Sequence, residues 1–138
     1  MEKILDFYRQ KSAINTLFEH VDGAKSRIRL KGLSGSLPSV LGALFSMRCT
    51  DVVNLFIVSD KETAFYFMND IEALLGEGEK ELAQKQVLLF PTTYRKPYQT
   101  EDVDNANVLL RSEVVKRLGE GKHPIIITYP EALSEKVV

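Results

Sequence analysis

The run Val52-Val53-Asn54-Leu55-Phe56-Ile57-Val58 limits what this chain can become more than any other feature, because six of its seven residues are apolar and most are β-branched or aromatic. A strand with one wet face alternates polar and apolar side chains; a nearly unbroken apolar run fits a central strand covered on both faces, as in parallel sheets layered between helices. Parallel strands need long crossover connections, so the flanking segments should be helical. They read that way. Ser59-Asp60 forms a cap, with Glu62 adding negative charge near the start, for a helix over 61–75. Gly76-Glu77-Gly78-Glu79-Lys80 is a solvated loop, and Val87-Leu88-Leu89-Phe90 is a strand ended by Pro91. After a polar, aperiodic interval over 92–104, Val108, Leu109, Val114, Val115 and Leu118 mark a helix over 105–119. Residues 124–128 form a further strand before Pro130-Glu131-Ala132-Leu133 opens another helix.

Upstream, Ile4, Phe7, Tyr8, Ile14, Leu17 and Phe18 recur at spacings of three and four and predict one amphipathic helix over 3–20, closed by Asp22-Gly23. Ser26-Arg27-Ile28-Arg29-Leu30-Lys31 alternates and predicts a first strand, which the turn Gly32-Leu33-Ser34-Gly35-Ser36 joins to a helix over 38–48. Strand and helix therefore alternate throughout. The fold class is α/β, a mostly parallel sheet with helices on both faces, and 138 residues suffice for one such domain spanning 1–138.

Charge excludes some functions. Eighteen Lys and Arg against nineteen Asp and Glu leave a formal net charge of -1, so no overall basic field gathers a nucleic acid or holds a membrane surface. Cys49 is the single cysteine and has no disulfide partner, no apolar run approaches the ~18 residues of a membrane span, and the expected compartment is the cytoplasm. His20 and His123 have no metal-ligand spacing, so no metal site is proposed; Cys49 reads as a small half-buried hydrophobe.

Chemistry is expected first in the turn from the first strand to its helix, where parallel-sheet proteins commonly cradle phosphate. A working phosphate loop, G-x-x-x-x-G-K-[ST], wraps phosphates with backbone N–H groups, neutralises them with lysine and holds magnesium by the hydroxyl. Here Gly32 is in the first position, Leu37 replaces the second glycine, Pro38 replaces lysine and Ser39 keeps the hydroxyl. The turn, including Gly35 and Ser36, is a degenerate phosphate loop with neither cation nor catalytic residue, and no cofactor is expected. The same residues also serve as a plain turn feeding a helix. No apolar strand ends in the Asp-Glu pair that would hold magnesium: the later two run into Phe90-Pro91 and Thr128-Tyr129. Arg27, Arg29 and Lys31, extended by Lys25, form a basic stripe that fits either phosphate contact or a solvated strand face. Tyr94, Arg95, Lys96 and Tyr98 mix basic and aromatic side chains in the long loop, a composition suited to a partner surface or to covering the sheet edge.

Together these segments resemble the amino-terminal module of the bacterial transcription-repair coupling factors (Mfd), itself similar to the excision-repair protein UvrB. The resemblance covers essentially the whole chain. It rests on Gly32-Leu33-Ser34-Gly35-Ser36-Leu37-Pro38-Ser39, on Leu89-Phe90-Pro91 and the aromatic loop through Pro97-Tyr98, on Asn105-Ala106-Asn107-Val108-Leu109-Leu110-Arg111, and on Ile125-Ile126-Ile127-Thr128 followed by Pro130-Glu131-Ala132-Leu133. It implies a UvrB-like, helicase-like domain that has lost its phosphate-loop lysine and the long damage-probing hairpin, and that forms the first part of a longer protein. That parent is implied to be an ATP-driven DNA translocase that displaces stalled RNA polymerase and recruits UvrA to nucleotide excision repair. UvrA binding is expected mainly beyond this chain, and the polymerase and DNA contacts in other domains. The reading from a different class is the nucleotide-binding half of an ATP-dependent helicase or nuclease domain.

Overall fold

The computed structural model describes residues 2–22, 27–93 and 101–135. Three parallel strands, β1 (Asn54–Ile57), β2 (Val87–Phe90) and β3 (Ile125–Thr128), lie in the order β1-β3-β2. In register, Phe56 pairs with Ile127 and Ile57 with Thr128 across β1 and β3, while Leu89 pairs with Ile127 and Phe90 with Thr128 across β2 and β3. The chain is α/β, as expected.

The helices fall on opposite faces because consecutive crossovers run in opposite directions. α4 (Lys61–Leu75) carries the chain from β1 past β3 to β2, and α5 (Glu101–Gly119) brings it back to β3. Right-handed crossovers in opposing directions require opposite faces. Side-chain contacts agree: Phe56 meets Phe67 of α4 with ring centroids 5.4 Å apart, while Phe90, one step along the register, lies under the Arg111 guanidinium of α5 at 4.1 Å.

Local chemistry sets the ends of α4. The Asp60 carboxylate accepts from the Thr63 N–H at 2.8 Å, and that bond, first among its neighbours' effects, holds the carboxyl below its usual pKa. At the other end Gly76 adopts φ 72, and the Glu77 N–H reaches the Glu72 carbonyl at 2.8 Å, closing the helix with a left-handed residue. α3 (Leu37–Arg48) packs on α4 across Gly42, where a Cβ would come within 3.0 Å of Ile71 Cδ1 and 3.1 Å of Phe67 Cζ.

Four sequence expectations change. The strand predicted over 26–31 is not formed: residues 27–31 have no regular structure, and the apolar Ile28 and Leu30 are exposed along with Arg27, Arg29 and Lys31. The single helix over 3–20 is two, α1 (Glu2–Arg9) and α2 (Ser12–Asp22), separated at Gln10 and Lys11. That break lets Leu5 and Phe18 share a small core with Val40, Ala43, Leu44 and Leu74 while Ile4 and Phe7 stay exposed. α5 begins at Glu101, four residues inside the interval read as irregular. The central strand is β3, all four residues of which are buried, and not the Val52–Val58 run. β1 is an edge strand whose Leu55 and Ile57 remain 52% and 56% exposed, because α5 lies over β2 and no described element covers that face of β1.

α6 (Pro130–Ser134) follows β3 directly, with Pro130 in its first turn. The main core gathers Ile71, Val87, Leu88, Phe90, Val114, Ile125, Ile126, Ile127 and Ala132. Ile127→Ala is therefore expected to cost about 3 kcal/mol in urea denaturation, and Leu55→Ala less than about 1 kcal/mol. Equal losses would contradict the placement of β3 at the centre.

Candidate functional site

The segment resembling a phosphate loop stands apart from the sheet. Gly32 and Gly35 both take left-handed φ, 78 and 60, and the Leu37 N–H bonds the Ser34 carbonyl at 3.2 Å in the turn that starts α3. Gly35, Ser36 and Pro38 are exposed and Leu37 half-buried. Pro38, in the first turn of α3, offers no N–H to an anion. Ser39 is the exception to this exposure: it is 5% exposed, and its hydroxyl donates to Asp70 Oδ2 of α4 at 3.2 Å. The group that would hold magnesium in a working loop instead joins two helices. With no strand among the described residues ahead of Gly32, the turn does not follow a strand of the described sheet.

At the carboxyl ends of β2 and β3, on the side where open parallel sheets place their ligands, the backbone groups are taken up by side chains that carry no sequence motif. Arg111, 6% exposed, donates to the carbonyls of Pro91 at 2.9 Å, Ala132 at 3.0 Å and Glu135 at 3.2 Å. Tyr129 is buried, and its hydroxyl accepts from the Thr92 N–H at 2.9 Å. The Glu135 carboxylate accepts from the Thr93 N–H at 2.8 Å and from its hydroxyl, and lies 3.6 Å from Arg111. Asn107 Nδ2 donates to the Thr92 carbonyl at 3.1 Å. This network ties the exit of β2, the α5 helix and the α6 end into one rim. Arg111 sits four residues ahead of an apolar position in a helix pattern, and only its burial distinguishes it from an ordinary surface arginine.

A second polar group secures the entrance of β2. Glu77, expected in a solvated loop, is instead buried, and its carboxylate accepts from the N–H groups of Gln86 and Val87, both at 2.9 Å, while Arg117 donates to the carbonyls of Leu82 at 2.8 Å, Ala83 at 3.1 Å and Lys85. Glu77 thus occupies donors that an additional strand would need, and Pro91 lacks one, so the edge of β2 is partly blocked against further pairing. Beside it runs an apolar groove of about 1010 Å³, with Phe65 and Met68 on one wall and Leu109 and Leu110 on the other. Among the described residues, none of those expected to carry function lines it.

The remaining candidates are dispersed. Tyr94, Arg95, Lys96 and Tyr98 lie outside the described residues, as does Lys25. His20 and His123 are exposed and far apart in the fold's order, and Cys49 is half-buried at the end of α3. Among the described residues no group of three His, Cys, Asp or Glu side chains is placed to hold a metal ion, and no helix is long and apolar enough to cross a membrane. The chain matches no protein-family model, and no curated protein or solved structure matches it at a significant level.

Two outcomes follow from the rim. Arg111→Ala strands three buried or half-buried carbonyls and leaves Glu135 without its cation, so a loss of about 3 kcal/mol in chemical denaturation is expected, and a loss below about 1 kcal/mol would contradict the network. For Glu135, burial raises the pKa, but the Thr93 donors and the Arg111 charge outweigh it and hold the carboxyl below its usual range. Because the folded value is the lower one, this stabilisation is present above the ordinary carboxylate pKa and is lost as pH falls through the depressed value. Glu135→Gln should therefore flatten the acid limb of a melting-temperature profile; an unchanged limb would show that Glu135 plays no part in it.

Proposed function

We propose that this chain is a non-catalytic, UvrB-like interaction module of the transcription-repair coupling factor family, acting as a platform in a cytoplasmic DNA-repair protein. One observation carries the reading: Leu37 and Pro38 stand where a nucleotide-binding loop needs glycine and lysine, and the remaining hydroxyl, Ser39, is buried against Asp70. A triphosphate at this turn would meet neither the lysine charge nor a free hydroxyl for its magnesium. The order and spacing of the apolar strands, and of Leu89-Phe90-Pro91 and Ile125-Ile126-Ile127-Thr128 with the helix start after it, support the family assignment.

In this reading the parent's ATP-driven translocase, its contacts with RNA polymerase and DNA, and most of the UvrA surface belong to other parts of a longer protein. The module supplies a rigid base from which they are presented. The competing reading, the nucleotide-binding half of an ATP-dependent helicase or nuclease domain, draws on the parallel sheet and on Gly32 and Gly35 in left-handed backbone ahead of a helix.

Nucleotide binding separates the two. Titration with a fluorescent ATP analogue and magnesium should give no saturable signal, and Pro38→Lys should gain no ATP-dependent rise in melting temperature, since Leu37 still bars the close approach that glycine allows. A micromolar dissociation constant for the unaltered chain favours the helicase half. The family assignment is tested by calorimetry with UvrA, using this chain and a version lengthened through the next small domain. Heat from the longer chain alone is the expected result; silence from both removes the coupling-factor reading.

A further inference from the structure

We draw no further inference here: the strongest candidate, the apolar groove along the free edge of β2 between Phe65 and Met68 of α4 and Leu109 and Leu110 of α5, is an unpartnered face whose lysines Lys80 and Lys85 already pair with Glu77 and Glu72, and nothing in the structure shows what covers it.

Discussion

Parallel pairing of β3 between β1 and β2 is the constraint on which the other elements depend. Ile125, Ile126, Ile127 and Thr128 are buried on both faces, so each face of β3 needs a helix, and the strand order obliges the two crossovers to supply them from opposite sides. Even the polar member conforms: Thr128 donates its hydroxyl to the Phe90 carbonyl at 2.8 Å and leaves no buried group without a partner. α4 is then held by Phe56 and Phe67, α5 by Phe90 under Arg111, and α3 by the close approach at Gly42. Leu75 of α4 packs against both the small core of α1, α2 and α3 and the main core on the sheet.

The carboxyl rim of the sheet follows from the same arrangement. Where the strands end, a ligand-binding domain keeps backbone donors free; here Tyr129, Glu135 and Arg111 take up the groups around Thr92 and Thr93. The charges serve cohesion, since among the described residues no buried side-chain nitrogen or oxygen is left without a partner. Such closure suits the platform role proposed for the chain, because a closed rim transmits position without rearranging. The turn at Gly32, by contrast, lies outside the sheet and is held mainly through the start of α3 and its Ser39 bond to Asp70.

Much of the fold was legible from residues alone. The helix over 61–75 had a capping aspartate and a closing glycine, and β2 and β3 were short apolar runs bounded by proline or by a polar turn. What failed was relational. Val52–Val58 and Ile125–Thr128 look equally buried as strings, and which one is central depends on strand order, which no local pattern encodes. The alternation over 26–31 is a sound strand pattern, yet no described strand pairs with it, so propensity alone did not form a strand. No glycine or proline marks the break at Gln10 and Lys11; it arises from packing against α3. Of the candidate site, the loss of lysine and glycine at Pro38 and Leu37 was readable directly, whereas the partner of Ser39 and the roles of Arg111, Glu77 and Glu135 required the tertiary structure, because long-range bonds to backbone N–H groups, backbone carbonyls or a distant side chain leave no spacing signature.

The proposal that the phosphate-loop-like turn, which stands outside the sheet, receives no nucleotide is tested most directly by amide hydrogen exchange followed by NMR with and without magnesium ATP. β3 amides should exchange only through global unfolding, while those of residues 27–35 exchange almost as freely as in an unfolded chain and are unaltered by nucleotide. Strong protection at Ile28 and Leu30, or slowing of the turn amides when magnesium ATP is added, would contradict it.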